Sequence, residues 1–113
     1  MPTQPYPVVI TSETFSRARS AGGVTLRVEP TDEQIGFAFH ANAELQEIEA
    51  AWLDAIREES NAVLSTLFSA EIKGLRVTLL EVRADPVDSH TRSFAEAARR
   101  SAEQAARLIR SYI

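Results

Sequence analysis

The residue types that most often carry chemistry are sparse in this chain. It contains no cysteine and two histidines, His40 and His90. A chain without cysteine has no thiol nucleophile, no disulfide framework and no thiolate zinc site. The histidines have no partner at i, i+4 and no other metal-ligand spacing, so we expect no metal site. Because Asp-Ser-His at residues 88–90 precedes a predicted helix, capping explains it better than acid–base catalysis does.

Motifs for nucleotide chemistry are also missing. Neither G-x-x-x-x-G-K-S/T nor G-x-G-x-x-G occurs, and the pair Gly22-Gly23 precedes a predicted strand rather than a helix. Acidic pairs such as Glu58-Glu59 lack the apolar surroundings that would raise a carboxyl pKa. The sequence therefore predicts a non-enzymatic protein, with no cofactor and no evident small-molecule substrate.

One group of residues could bind a ligand. Two arginines lie in one predicted loop, a third begins a second loop, and the last helix starts nearby. If both loops meet at one end of a sheet, the cations and the helix N-terminus would form an anion site. The alternative is that these arginines are merely solvated, with part of their charge neutralised by Asp85 and Asp88. The candidate site residues are Arg17, Arg19, Arg83, Ser89, His90 and Arg92.

Hydropathy patterns predict three strands before the first long helix. Residues 1–7 hold three of the five prolines and read as a flexible or extended tail, which leaves 8–113 as a single domain. Strands are predicted at Val8–Phe15, Val24–Val28 and Ile35–His40, because β-branched and aromatic residues dominate or alternate there. The segment Ser16–Gly23 between the first two is predicted to be a loop.

The second half of the chain reads as helix, strand, helix. A helix is predicted over Glu44–Phe68 with Asn42 as its N-cap, and a strand over Leu75–Val82. After a loop at Arg83–Asp88, a final helix is predicted over Thr91–Arg110. The order β-β-β-α-β-α predicts an α+β two-layer sandwich, with two helices on one face of a four-stranded sheet.

Charge is distributed unevenly along the 113 residues, whose net charge is -4. Residues 29–59 carry one basic and nine acidic side chains, whereas residues 92–113 carry five basic and two acidic ones. We expect the acidic first helix and the basic last helix to lie side by side. Any RNA contact would need a local basic face. No signal peptide or membrane-spanning apolar run is visible, so we expect a cytoplasmic protein without membrane contact.

Several short motifs, in consistent order over about residues 8–106, resemble domain IV of translation elongation factor G. The family shows a strand ending in V-E-P, a G-F-x-F strand, a helix with an aromatic residue, a V-x-V-T-L strand and V-D-S before a helix with Phe. The matching segments here are Leu26–Pro30, Gly36–Phe39, Trp52–Ile56, Leu75–Leu79, Val87–Ser89 and Phe94. Glu13-Thr14-Phe15, in the predicted strand from Val8 to Phe15, is also similar to the E-T-I strand that opens the family's domain.

The resemblance implies a ribosomal protein S5 domain 2-like fold and a tip made of two loops, here residues 17–23 and 83–88. The first loop lacks the longer glycine- and glutamine-containing pattern of the family, and Ala84-Asp85-Pro86 replaces the family's tip histidine segment. Two functions stay open. One is a binding domain that contacts the ribosome or a ribosome-associated protein through its tip, and the other is a protein-interaction module that has lost RNA binding. A homo-oligomer is a further expectation, since an edge strand at Val8–Phe15 could pair with a second copy.

Overall fold

A computed structural model of the chain describes residues 6–17, 20–45, 48–84 and 90–112. The elements, in chain order, are β1 (Val9–Arg17), β2 (Ser20–Pro30), β3 (Gly36–Ala41), α1 (Ala50–Leu64), β4 (Gly74–Ala84) and α2 (Thr91–Arg110). Short 3-10 turns lie at Ala43–Leu45 and Ser65–Leu67. The predicted order β-β-β-α-β-α is therefore confirmed.

The four strands form one mixed sheet in the order β1-β2-β4-β3. β2 pairs antiparallel with both β1 and β4, whereas β3 runs parallel to β4. Alternate residues of the two central strands, such as Val24, Leu26, Val77 and Leu79, are fully buried in one core with the inner faces of the helices. The chain is thus an α+β two-layer sandwich, with both helices on one face of the sheet.

A β-bulge explains why the alternation of β4 fails near its end. Leu26 lies opposite Leu79, but Thr25 lies opposite Glu81, so Leu80 is the extra residue. Because side chains alternate between the two faces of a sheet, one inserted residue moves every later side chain of the strand to the opposite face. Val82 therefore returns to the inner face and packs against the core.

The prediction for the first helix is wrong at its start. The α-helix begins at Ala50 rather than at Glu44, and Asn42 does not cap it. The Asn42 backbone N–H donates to the Leu79 carbonyl at 3.1 Å, and its side-chain amide donates to the Leu80 carbonyl at 3.4 Å. Asn42 thus completes the β3–β4 ladder, and its carbonyl accepts the Leu45 N–H at 2.8 Å in the short 3-10 turn that follows. The α-helix starts only at Ala50.

The bounds predicted for α2 are confirmed. The apolar and small residues at helical spacing also predict an inner face made of Phe94, Ala98, Ser101, Ala105, Leu108 and Tyr112, and this prediction is wrong at its end. Phe94, Ala98, Ser101 and Ala105 are buried as expected, whereas Leu108 and Tyr112 are 43% and 64% exposed. Ile109 is buried in their place, since the position four residues after Ala105 returns to the core face.

The two helices lie side by side, as the charge distribution suggested. The Trp52 ring lies 4.4 Å from the Phe94 ring, centroid to centroid, near the start of both helices. The Arg110 guanidinium donates to the Thr66 hydroxyl beyond the end of α1. The helices therefore run in the same direction.

Neither α1 nor α2 combines the length and the apolar composition that a membrane-spanning helix needs, and the described residues contain no other candidate span.

Tyr6 lies in the segment predicted to be a flexible or extended tail, and its side chain is half-buried and packs against the core. Order therefore starts before Val8. Residues 1–5 of the predicted tail lie outside the described residues.

Candidate functional site at the hairpin end

Three parts of the chain meet at one end of the sheet. The β1–β2 hairpin closes where Arg17 pairs with Ser20, and the last residue of β4, Ala84, pairs with Gly22. The start of α2 lies against the same place, because a Cβ on Gly22 would stand 3.0 Å from the Phe94 ring. We call this region, residues 17 and 20–22, Ala84 and the first turn of α2, the hairpin end.

The loop predicted at Ser16–Gly23 is wrong, because most of it is strand. Gly22 and Gly23 lie within β2, opposite Phe15 and Thr14. Their role is close approach rather than a turn. Gly22 leaves room for the Phe94 ring on the inner face of the sheet, and Gly23 leaves room for a guanidinium on the outer face.

That guanidinium belongs to Arg83, which lies in β4 rather than in the predicted loop. Its side chain lies over Gly23, where a Cβ would come within 2.8 Å of both Nε and Nη2. Nη1 donates to the Thr25 hydroxyl at 3.0 Å and pairs with the Glu81 carboxylate, while Nη2 donates to the Ser12 hydroxyl at 3.0 Å. Arg83 therefore holds three strands together on the outer face of the sheet.

The other predicted site residues lie at the hairpin end or outside the described residues. Arg17 ends β1, His90 directly precedes α2 in an extended conformation, and Arg92 is exposed in the first turn of α2. The His90 carbonyl accepts the Ser93 N–H at 2.9 Å, which starts the helix. Arg19 and Ser89 lie outside the described residues, as do Asp85 and Asp88.

Part of the positive charge of α2 is paired with carboxylates of the same helix, and one further arginine lies against an aromatic ring of β1. Arg99 donates to Glu96 at 2.6 Å and to Glu103 at 3.2 Å, and the Arg100 guanidinium lies 5.1 Å from the Phe15 ring centroid. The pKa of Glu96 is held below its ordinary value, first by the hydrogen bond from Arg99 and then, against desolvation, by the charges of Arg99, Arg100 and Arg92.

The outer face of the sheet is balanced in charge as well. Arg27 pairs with Glu29 at 3.2 Å, and Arg76 pairs with Glu29 at 3.7 Å and with Glu33 at 2.8 Å. The hydrogen bond to Glu33 raises the pKa of Arg76, so this pairing favours the charged guanidinium. Because these cations have carboxylate partners, the sheet face is a weak anion-binding surface.

The contact between Gly23 and Arg83 on the outer face was not predicted from the sequence. Two adjacent glycines in a strand pattern do indicate a close approach, which was the available signal. The identity of the approaching side chain could not be read, because Arg83 lies far away along the chain. Metal-ligand clusters of three or more His, Cys, Asp or Glu side chains do not occur within the described ranges.

Comparisons with known proteins support the fold. No protein-family model and no curated protein matches the chain. The crystal structure of a protein from Thermus thermophilus, ttk003000868, superposes with a TM-score of 0.65 at 19% sequence identity. The match covers 98% of this chain and 18% of that chain, so this chain is similar to one domain-sized segment of a much longer protein.

Proposed function

We propose that this chain is a non-enzymatic binding domain related to domain IV of elongation factor G, and that it contacts the ribosome or a translation factor through the hairpin end. The observation that carries this proposal is the meeting of the β1–β2 hairpin, the end of β4 and the start of α2 at one end of the sheet. A tip of that kind is what the sequence resemblance requires.

Two further observations support the proposal. The order and pairing of the elements agree with the fold that the resemblance implies. The similar Thermus thermophilus structure matches 98% of this chain but only 18% of its own chain. A domain of this shape can therefore be one module of a larger protein.

The chemistry proposed for the hairpin end is recognition of phosphate. Arg17, Arg19 and Arg92 would supply guanidinium groups, which bind phosphate oxygens through two parallel N–H bonds. The backbone N–H groups at the start of α2 would add donors at the positive end of the helix dipole. Since the chain carries a net charge of -4, binding should depend on these local contacts rather than on long-range attraction.

Co-sedimentation with purified ribosomes over a series of salt concentrations tests the proposal. If three arginines contact phosphates, affinity falls as salt rises, with a log–log slope of about -2 to -3. Failure to sediment with ribosomes at the lowest salt concentration would refute ribosome binding.

The second candidate is a protein-interaction module without RNA contact. It is favoured by the acidic segment 29–59 and by the structural use of Arg83, which removes one cation from the predicted anion site. Under this alternative, sedimentation with ribosomes would be absent or would not change with salt. We propose a cytoplasmic location for either function.

A further inference from the structure

The edge of the sheet formed by β3 has backbone groups directed outward. The Gly36 N–H donates to the Lys73 carbonyl, directly before β4, at 2.8 Å. The Asn42 N–H, directly after β3, donates to the Leu79 carbonyl of β4 at 3.1 Å. Because backbone groups alternate along a strand, the N–H and C=O groups of Phe37 and Phe39 face the opposite way. That side is an edge which no described strand occupies.

A cleft of about 330 Å³ lies beside this edge, between β3 and the first half of α1. Its apolar wall consists of Phe39, Ala41, Ala50 and Leu53, and its polar rim consists of His40, Asp54 and Arg57. Asp54 and Arg57 are paired at 3.0 Å, and both side chains are more than half exposed. The volume of the cleft is sufficient for a large apolar side chain.

We propose that this groove, defined as the β3 edge together with the cleft, binds an extended segment of another protein by strand addition. The segment pairs with the outward groups of Phe37 and Phe39 and places one apolar side chain in the cleft. Main-chain hydrogen bonds supply affinity in this mode, and the pocket selects alternate side chains.

Charge complementarity indicates that the segment is basic. β3 and most of α1 lie within residues 29–59, which carry nine acidic side chains and one basic one. Glu29 and Glu33 pair with arginines on the outer face of the sheet. Glu49, the residue before α1, and Glu58 within α1 are exposed on either side of the Asp54–Arg57 pair. Lysine or arginine at the positions flanking the apolar residue would meet these carboxylates. The acidic segment takes no part in the hairpin end, and in this proposal its carboxylates bind the basic residues of the added strand.

A strand edge and a cleft together favour a polypeptide over a small molecule. The donors and acceptors of Phe37 and Phe39 repeat every second residue, which is the spacing of an extended chain. The groove lies at the β3 edge and requires no contact with Arg17, Arg19 or Arg92. Its occupation is therefore independent of ribosome binding.

Peptide titration followed by amide chemical shifts tests the inference. The probe is a short synthetic peptide in which valine alternates with lysine, and the controls are its glutamate counterpart and a version with N-methylated alternate amides. We expect the lysine peptide to shift the resonances of residues 36–41 and 50–57. The N-methylated and acidic peptides should bind at least about tenfold more weakly, since they lose strand hydrogen bonds or charge complementarity.

A pair of variants locates the binding. Ala50→Trp fills the cleft at an exposed position, and Ala62→Trp makes the same change in a second groove, between α1 and the end of α2. Ala50→Trp should weaken the lysine peptide about tenfold, and Ala62→Trp should leave it unchanged. Equal binding to both variants, no shifts at up to about 1 mM peptide, or preference for the acidic peptide would overturn the inference.

Discussion

The Arg83 guanidinium lies directly over Gly23. A Cβ atom on residue 23 would stand only 2.8 Å from the Nε and Nη2 atoms of this arginine. From there it reaches hydroxyls of β1 and β2 and the carboxylate of Glu81 in β4. A glycine in the middle of a strand normally weakens it. Here the missing side chain makes room for an arginine that joins three strands next to the hairpin end.

This contact predicts that the effect of Gly23→Ala depends on Arg83. In the natural chain, the new methyl group displaces the guanidinium and breaks its hydrogen bonds, at a cost of about 1 kcal/mol. In an Arg83→Ala background the guanidinium is gone and the Thr14 hydroxyl, 2.9 Å from the new Cβ, still has to shift. The same change should therefore cost less than in the natural chain, helped by the smaller conformational freedom of alanine in the unfolded chain.

Urea unfolding of the four proteins in this double-mutant cycle measures the coupling. Gly22→Ala is the matched control, because its Cβ would meet the Phe94 ring at 3.0 Å whether or not Arg83 is present. If Gly23→Ala lowers the free energy of unfolding equally in both backgrounds, Arg83 is not the reason why position 23 requires glycine.

A buried pair of hydroxyls joins β1 to α2 and predicts a second coupling. The Thr11 hydroxyl donates to the Ser101 carbonyl at 2.9 Å, and the Ser101 hydroxyl donates to the Thr11 carbonyl at 3.0 Å. Both residues are buried. Thr11→Val and Ser101→Ala should each cost about 1–2 kcal/mol, since each leaves a buried polar group without one partner.

The double variant should lose less stability than the sum of the two single variants, because the two hydroxyls also contact each other at 2.7 Å. Thermal and urea unfolding measure this. Strict additivity would show that the two hydroxyls act independently.

The lowered pKa of Glu96 predicts a small pH-dependent contribution to stability. A carboxyl whose folded pKa is depressed stabilises the fold at pH values above its unfolded pKa, and this contribution is lost as the pH falls through the folded pKa. Glu96→Gln should therefore cost about a few tenths of a kcal/mol at neutral pH, because the ion pairs are partly solvated.

The difference between natural chain and variant should shrink toward zero in acid. An Arg99→Ala background should reduce the difference at neutral pH as well, since Arg99 is the largest cause of the shift. A gap in unfolding free energy that stays constant from neutral to acid pH would contradict the assignment.

Local patterns were sufficient to predict the order of the elements and the bounds of α2, because apolar periodicity and turn residues determine both. They failed where a contact with a residue far away in the sequence determines the local structure. Asn42 reads as a helix cap, yet its N–H and side chain bond to β4. Gly22 and Gly23 read as a turn, yet Phe94 and Arg83 determine their use.

The candidate site was predicted in part for the same reason. The sequence placed two loops and a helix start at one end of a sheet. In the structure, the pairing of Gly22 with Ala84 brings the end of β4 beside the β1–β2 hairpin, while residues 85–89 lie outside the described residues. It could not show that Arg83 turns onto the sheet face, because that depends on the register between β2 and β4. Reversing the charge of Arg83 would therefore disturb the sheet itself and would be a poor probe of RNA contact.

The most direct test of the central claim reverses charge at one end of the molecule at a time. The hairpin-end variant carries Arg17→Glu, Arg19→Glu and Arg92→Glu. The matched control makes the same change in net charge at the opposite end, where exposed Lys73 precedes β4 and Arg107 and Arg110 end α2.

Ribosome co-sedimentation at low salt then separates local contact from overall charge. We expect the hairpin-end variant to bind at least about a hundredfold more weakly than the natural chain, and the control variant to stay within about threefold of it. Equal losses in the two variants, or no loss in the hairpin-end variant, would contradict the claim that the hairpin end makes the contact.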